Sequence, residues 1–413
     1  MRILFLSNYF KPEIAASSYL GENIREAYAK EGFEMVLYTP VPSRGISDEV
    51  RAEYSKKLHE RELDGHLTIH RFPLMRESKN TIQRAFRYLL SIMNLYRLGK
   101  KEKNIDVLSI SSTPPINGLM FKGIKKKTGC KIIYNLQDIF PDSLVHTGIT
   151  KKGSLLWKIG AIIEQITYKN ADKIVVISED FKKNIMEKGV PEDKITIIRN
   201  WVDEGVVKSV NREDNSLYDQ YGLDRNKFYV CYSGNIGHTQ NMDMLLDIAK
   251  ELTENIDIGI ILVGNGAAKE HVKERIEKEK ICNVYMIPFQ PYDKISQVFS
   301  LGDCGLIISK AGVGNNSVPS KTWSIMSAKR PVLASFDKGY EFDRVITEAN
   351  CGICVQADDK DALKNAILQM YKNRENLKIY GENGRKYIMK NLTREIGTKK
   401  WVEVMKEIVK EFN

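Results

Sequence analysis

Three loops in the second half of the sequence have the composition of a phosphate-binding site. They are rich in glycine, hydroxyl and amide side chains, and one contains a lysine. Glycines let backbone N–H groups approach diphosphate oxygens, and the other groups donate further hydrogen bonds. Ordinary turns, or a capped helix after the third loop, would use the same residues. The predicted binding residues are Gly234, Asn235, Gly237, Gln240, Gly264, Gly266, Ser317, Val318, Pro319, Ser320 and Lys321, with His238 as a further phosphate candidate.

These loops do not carry the fingerprint of a dinucleotide-binding enzyme. A third glycine after Gly264-Asn265-Gly266 would fall at position 269, which is a lysine. The dinucleotide turn requires that glycine for close packing of its helix on the strand. The pattern therefore disfavours NAD and leaves a nucleotide or a nucleotide sugar as the ligand.

The elements that must position these loops alternate between apolar strands and amphipathic helices. Arg2–Ser7, Ser18–Glu31 and Glu34–Thr39 make a first strand–helix–strand unit, and the same rhythm restarts at Phe228. This alternation predicts two α/β domains with doubly wound parallel sheets, which bind ligands where the strands end. We predict domains at 1–203 and 204–392, a linker over 203–225, and a C-terminal helix over 393–413 that packs back on the first domain.

Five stretches, spread over nearly the whole chain, occur in the order found in one enzyme family. Together they resemble the retaining GT-B glycosyltransferases of family 4, particularly the L-fucosamine-transferase-like bacterial branch. The resemblance implies two Rossmann-like domains facing a central cleft and a nucleotide-sugar donor, here expected to be UDP-linked. The matching stretches are Asn8–Glu13, Gln137–Ser143, Arg199–Asp203, Ser233–Gly237 and Val318–Ala334.

The chain departs from that family at the residues that usually hold the donor. The paired glutamates of the family fall on Asn316 and Ser324, and its phosphate-binding arginine and lysine fall on Asn235 and Gln240. Donor recognition must then depend on backbone amides, hydroxyl groups and Lys321. Lys310 is an additional candidate for the phosphates, and Glu341 or Glu348 for the hydroxyl groups of the donor.

In the first domain the resemblance assigns the catalytic role to Asp138, which follows a predicted strand. The departing phosphate would itself take the proton of the acceptor, while Asp138 would orient the acceptor or stabilise oxocarbenium-like charge. Capping of a helix is the other reading of Asp138. The loop after the first strand would contact the acceptor through Glu13, Ser17 and Ser18.

A formal net charge of +10 favours an anionic partner. No basic stripe with interleaved stacking aromatics indicates nucleic acid, so nucleotide phosphates and anionic lipid headgroups remain. Residues 81–103 combine apolar, aromatic and basic side chains, and residues 155–168 resemble them more weakly. Both segments suit peripheral contact with a membrane, but simple covering helices would have the same composition. No apolar run is long enough to span a bilayer, and a cytoplasmic location is expected.

Three functions remain compatible with these residues. The favoured one is a retaining hexosyltransferase that builds a lipid-carried surface glycan, such as a capsule or O-antigen. A noncatalytic sugar-nucleotide sensor or scaffold would explain the missing glutamates, and a UDP-sugar epimerase would need converging acidic or histidine side chains. No motif requires a metal or another cofactor.

Overall fold

The computed structural model describes residues 1–13, 18–78, 80–146, 148 and 150–410. The chain forms two compact units, one of residues 1–199 together with the chain from Gly397 onward, and one of residues 200–396. No helix in these described ranges is long and apolar enough to cross a membrane.

The first unit is built on an eight-stranded sheet in the order β3-β4-β2-β1-β5-β6-β7-β8. All neighbours are parallel except β3, which runs antiparallel to β4 at one edge. Its strands are β1 (Arg2–Leu6), β2 (Glu34–Pro40), β3 (His59–Glu62), β4 (Leu67–Phe72), β5 (Val107–Ser111), β6 (Lys131–Leu136), β7 (Lys173–Val176) and β8 (Ile195–Ile197). Its helices are α1 (Ser18–Lys30), α2 (Asp48–Lys56), α3 (Thr81–Gly99), α4 (Phe121–Thr128), α5 (Asp142–His146), α6 (Leu155–Asn170) and α7 (Glu179–Glu187).

The second unit has a fully parallel six-stranded sheet in the order β11-β10-β9-β12-β13-β14. Its central strands are buried apolar runs, as parallel sheets covered on both faces require, and the edge strands β11 and β14 are half-buried. They are β9 (Phe228–Asn235), β10 (Ile258–Asn265), β11 (Val284–Ile287), β12 (Cys304–Ile308), β13 (Val332–Ser335) and β14 (Gly352–Val355). The helices are α8 (Leu217–Gln220), α9 (Met242–Glu251), α10 (Lys269–Glu279), α11 (Ile295–Phe299), α12 (Lys321–Ser327), α13 (Glu341–Glu348), α14 (Lys360–Lys372) and α15 (Leu377–Asn391).

Residues 203–225, predicted to be a linker, are an integral part of the second unit. Leu217 and Tyr218 of α8 are fully buried. The backbone amides of Lys208 and Val210 donate to the hydroxyls of Ser296 and Ser300, each at 3.0 Å. The polar composition of the segment concealed these few anchoring side chains, so the linker prediction was wrong.

The C-terminal helix, α16 (Arg394–Lys410), returns the chain to the first unit from Gly397 onward. The Tyr28 hydroxyl donates to the carbonyl oxygen of Trp401 at 3.4 Å, and Lys406 pairs with Glu31 at 2.6 Å. Its apolar stripe, which includes Trp401 and Met405, is buried. The stripe therefore packs into the first unit's own interior.

Candidate functional site

Each sheet reverses its winding direction at one place, and this place defines a crevice. In the second unit, β10 and β11 lie on one side of β9, whereas β12, β13 and β14 lie on the other. In the first unit the corresponding reversal lies between β1 and β5. Parallel sheets bind ligands in the crevice at the carboxyl ends of such strands. The candidate residues therefore have to be sought after β9 and β12, and after β1 and β5.

Lys321 is brought to the end of β9 by its position as the first residue of α12. Its ammonium lies 4.0 Å from the centroid of the Tyr232 ring. A Cβ built on Gly234 would come within 2.8 Å of the Lys321 Nζ, so only glycine leaves room for the amine. In the described part of the chain, Lys321 forms no ion pair with a carboxylate. Burial lowers the pKa of the amine to about 7.

The glycines after β9 and β10 let two strand ends approach each other. Gly234 and Gly264 are opposite in register and have φ angles of +145° and +150°. A Cβ on Gly264 would lie 2.0 Å from the carbonyl oxygen of Gly234. The Asn235 side chain fills the space that Gly237 and Gly266 leave by lacking a Cβ. These four glycines thus have a packing role at the ends of the two strands.

The remaining predicted residues of the first loop differ in their roles. The Gln240 side-chain oxygen accepts a hydrogen bond from the Gly237 amide at 3.1 Å, so Gln240 closes the turn. His238 and Lys310 are exposed near it, and the Lys310 amide donates to the Thr239 carbonyl at 2.8 Å. The sequence identified this loop, but it did not indicate that Gln240 stabilises it.

Asp337, which the sequence analysis missed, holds the start of the third loop, residues 311–314, in place. The buried carboxylate accepts hydrogen bonds from the backbone amides of Gly312 and Gly314, both at 2.8 Å. Asp358 accepts from the Ala311 amide at 2.9 Å. Both aspartates follow strands, β13 and β14, at the carboxyl edge. A search for polar residues directly after every predicted strand, which selected the other loops, would have found both aspartates.

The rest of the third loop, residues 315–320, leads into α12 without forming a capped helix start. Ser320 makes no side-chain cap, and no described residue bonds the hydroxyls of Ser317 or Ser320. Val318 and Pro319 are half-buried beside them. Asn316, where the related family has a glutamate, is buried, and its Nδ2 has no hydrogen-bond partner. The capped-helix interpretation is therefore wrong, and the hydroxyls of Ser317 and Ser320 have no partner among the described residues.

Only one of the two glutamate candidates is near this loop. Glu341 is buried at the start of α13, directly after Tyr340, whose ring lies 2.3 Å from where a Cβ of Gly314 would be. Glu348 is the exposed last residue of the same helix. Since α13 starts at the carboxyl edge of the sheet and runs away from it, Glu348 is turned away from the crevice.

In the first unit, Asp138 follows β6 and is held by its backbone. The Ser112 hydroxyl, after β5, accepts from the amides of Gln137 and Asp138 at 3.1 and 3.3 Å. The Asp138 side chain is exposed and has no hydrogen-bond partner among the described residues. It does not cap α5, which begins at Asp142. The surrounding protein reduces hydration of the carboxyl and raises its pKa.

The predicted acceptor residues near β1 have different surroundings. Glu13 is buried, and its Oε1 accepts from the amides of Ser43 and Arg44 at 2.8 and 2.7 Å. Glu13 thus holds the loop after β2 in place. Ser18 is the first residue of α1. Ser17 lies outside the described residues.

A cluster around Tyr9, at the end of β1, was not anticipated from the sequence. The Tyr9 hydroxyl lies 2.7 Å from that of Tyr88 on α3 and donates to Glu77 at 3.1 Å. The guanidinium groups of Arg44 and Arg87 lie 5.2 and 5.7 Å from the centroid of its ring. These residues are far apart in the sequence, so no local spacing could have revealed the cluster. Arg44 is exposed, which leaves it accessible to an anion.

Nothing in the described parts of the two units assembles a metal site. No group of three or more histidine, cysteine or acidic side chains in those ranges has the geometry to hold an ion.

Comparison with protein families divides the chain in the same way as its sheets. Residues 22–205 match the model described as Glycosyltransferase Family 4, and residues 214–387 match that described as Glycosyl transferases group 1. WcaI of Escherichia coli (strain K12), named as a colanic acid biosynthesis glycosyl transferase, is 25% identical over 89% of this chain and 92% of its own. WbjE of Pseudomonas aeruginosa, named as a glycosyltransferase, is 25% identical over 76% and 78%.

A third relative and two solved structures complete the comparison. The alpha-galactosylglucosyldiacylglycerol synthase of Streptococcus pneumoniae is 25% identical over 66% of this chain and 68% of its own. HepE of Anabaena, solved with UDP, has a TM-score of 0.73 at 14% identity, over 98% of this chain and all of that one. The sucrose-phosphate synthase of Thermosynechococcus elongatus has a TM-score of 0.78 at 13% identity, over 98% of both chains. At these identities the likeness concerns the fold, and it confirms the predicted GT-B fold class.

Proposed function

We propose that this chain transfers a hexosyl residue from a UDP-linked donor with retention of configuration. It consists of a family 4 glycosyltransferase domain followed by a group 1 glycosyl transferase domain. It is thus a glycosyltransferase of the GT-B type. We assign donor binding to the crevice of the second unit and acceptor binding to that of the first. The domains 1–203 and 204–392 of the sequence analysis correspond to these two roles.

The observation that carries this proposal is the half-buried Lys321, whose amine lies beside Tyr232 and Gly234 without a carboxylate partner among the described residues. A cation that is partly withdrawn from water without a countercharge is costly, and a bound diphosphate would supply the missing negative charge. The amine lies at the winding reversal, with the unbonded hydroxyls of Ser317 and Ser320 on the segment before it. HepE, which shares the fold, has been solved with UDP and with UDP-glucose, which supports a UDP-linked donor.

In this proposal the chemistry depends on electrostatics more than on a dedicated base. As the bond between sugar and diphosphate breaks, Lys321 stabilises the negative charge that grows on the leaving phosphate. That phosphate takes the proton of the attacking acceptor hydroxyl on the same face of the sugar, which is why configuration is retained. Asp138 orients the acceptor and, when ionised, stabilises positive charge on the sugar ring. The exposure of its carboxylate and the lack of a partner for it support this role.

We further propose that the acceptor is a lipid-carried intermediate of surface glycan synthesis, such as a capsule or O-antigen, handled at the inner face of the cell membrane. The names of WcaI and of the diacylglycerol glycolipid synthase support a glycan or lipid acceptor. The resemblance to the L-fucosamine-transferase-like branch supports a glycan that contains amino sugars. The arginine-bearing cluster at Tyr9 would suit an acceptor diphosphate.

Calorimetric titration of the purified protein with UDP-glucose, UDP-N-acetylglucosamine and GDP-mannose tests the donor assignment. UDP sugars should bind, and Lys321→Met should weaken binding at least tenfold. Lys329→Met is the matched control, because Lys329 lies just beyond the other end of α12 and pairs with Glu382 on the surface. Release of UDP on addition of extracted glycan lipids would then show transfer. Equal binding by both variants would refute the role of Lys321, and binding without turnover would favour a sensor.

A further inference from the structure

Two helices of the first unit expose apolar side chains along a single line each. On α3 these are Ile82, Phe86, Leu89 and Met93, and on α6 they are Leu155, Ile159, Ile162 and Ile166. The steps of four, three and four residues are the same in both helices and place each set on one helix face. Ile82 and Leu155 are 80% and 76% exposed. Each line extends about 16 Å along its helix.

The two lines belong to one surface, because both helices pack on the same 3-10 segment, Pro115–Met120. Gly118 of that segment touches Thr167 of α6 so closely that a Cβ would lie 1.8 Å from its hydroxyl oxygen. On the α3 side, Gly123 of α4 contacts the Tyr96 ring in the same manner. Leu119 in the segment is also half-exposed. These nine apolar side chains are called the apolar face below.

The elements that carry the apolar face are rich in basic residues and poor in acidic ones. The sequence contains no acidic residue in positions 81–101, 107–137 or 143–163. Exposed basic residues lie there instead, on the ends of both helices and on α4: Arg97, Lys101, Lys122, Lys126, Lys127, Lys151, Lys152 and Lys158. Like charges would repel a second copy of this face. An anionic lipid surface is complementary to both the charge and the apolar side chains.

The inner sides of the same two helices touch the candidate acceptor residues. Tyr88 of α3 lies 2.7 Å from the hydroxyl of Tyr9. Gly160 of α6 packs against the Phe140-Pro141 loop that follows Asp138, where a Cβ would lie 2.7 Å from the Pro141 Cβ. A surface bound to the outer sides of α3 and α6 would therefore lie one helix layer away from both.

We infer that the apolar face of α3, α6 and the 3-10 segment between them docks onto an anionic bilayer, with its basic rim on the lipid phosphates. This inference rests on the proposed function in one respect, the lipid-carried acceptor that would bring the protein to a membrane. It adds which part of the first unit contacts the membrane, namely the outer sides of α3 and α6. The exposed neighbours of the apolar line on α3, Gln83 and Ala85, are uncharged. Insertion of that line into a bilayer would therefore bury no charged side chain from these two positions.

Vesicle cosedimentation of the full chain tests the inference. Wild type is compared with two double variants, Phe86→Ser/Leu89→Ser on α3 and Ile159→Ser/Ile162→Ser on α6. Phe289→Ser/Ile379→Ser is the matched control, because both residues are exposed on the second unit. On vesicles of phosphatidylglycerol and phosphatidylcholine, wild type and control should bind, and each helix variant should bind at least tenfold more weakly. Binding to pure phosphatidylcholine should be weaker for all of them. Melting temperatures would confirm that the variants are folded.

Two results would overturn the inference. One is wild-type binding to anionic vesicles that the helix variants retain in full. The other is a dimer, seen by analytical ultracentrifugation, that the same variants dissociate while no vesicle binding is found. Titration with UDP-glucose keeps the proposed function separate, since the helix variants should bind this donor like wild type. Vesicle binding by a protein that binds no nucleotide sugar would refute the donor assignment alone.

Discussion

The Lys321 ammonium lies over the face of the Tyr232 ring, 4.0 Å from its centroid, with Gly234 beside it. The ring gives the cation an electrostatic partner that carries no net charge. A carboxylate in that place would compete with an incoming diphosphate, whereas the ring would not. The arrangement keeps a half-buried cation in the crevice and leaves it without a carboxylate countercharge until a ligand binds.

Donor affinity should depend on pH through this amine. The pKa of Lys321 is about 7 in the free protein, and a bound diphosphate raises it. Binding therefore needs the protonated amine, and affinity should be constant below pH 7 and fall up to about tenfold per pH unit above it. Calorimetry with UDP-glucose, a diphosphate diester that does not titrate in this range, would show proton uptake at pH 8. Lys321→Met should abolish both the uptake and the slope. A slope that survives in the variant would assign it to another group.

The same residue should lower the stability of the free protein. A lysine in the unfolded chain has a pKa near 10.4, roughly three units above that of folded Lys321. Protonation thus favours the unfolded state, fully below pH 7 and less as pH rises toward 10.4. Lys321→Met should raise the melting temperature at pH 6.5 by at least about 2 °C, since 1 kcal/mol shifts it by roughly 2–4 °C in domains of this size. The gain should disappear near pH 10, and a loss at pH 6.5 would contradict the assigned burial cost.

Replacing Asp337 with alanine should loosen the loop that it holds. The amides of Gly312 and Gly314 would lose their shared acceptor, at a cost of roughly 1–3 kcal/mol. We expect a lower melting temperature and about tenfold weaker UDP-glucose binding, with the loss partly restored by asparagine. Asp361→Ala is the control, because Asp361 is exposed in the first turn of α14. Unchanged affinity in Asp337→Ala would show that the loop does not contact the donor.

Asp138→Asn should abolish transfer and leave donor binding intact. The amide keeps the shape of the side chain but loses the negative charge, and the backbone bonds to Ser112 are unaffected. In wild type, kcat should fall at acidic pH with a midpoint above that of an ordinary aspartate, because the surrounding protein reduces hydration of the carboxyl and raises its pKa. Asp193→Asn, on an exposed 3-10 turn, serves as the control. Unchanged turnover would remove Asp138 from the mechanism.

Glu13→Ala should destabilise the first unit, because two backbone amides lose a buried carboxylate acceptor at roughly 1–3 kcal/mol. Since the affected loop carries Arg44, the KM for the acceptor should rise while donor binding stays constant. Glu13→Gln, which keeps one oxygen acceptor, should restore most of the stability. A variant with normal stability and a high acceptor KM would instead show direct contact of Glu13 with the acceptor.

The fold class followed from the sequence because strand and helix periodicity is a local property. The strands at Arg2, Glu34 and Phe228 and the helix at Ser18 were placed within a few residues. Local patterns were insufficient where an element is polar. The edge strand His59–Glu62 has no apolar side chains to signal it, and its turn depends on left-handed φ angles at Leu63, Asp64 and Gly65.

The sequence alone determined which loops follow strands, and it thereby selected Lys321 and the glycines after β9 and β10. The family resemblance added Asp138. Only the tertiary structure decided what those residues do. Lys321 lies on a ring 89 positions earlier in the chain, and Asp337 reaches back 23 and 25 positions to two amides. Burial, the lack of a countercharge and the resulting shift in pKa depend on what the folded chain brings around a side chain. The sequence gives only the order of those neighbours along the chain, and not their distances in space.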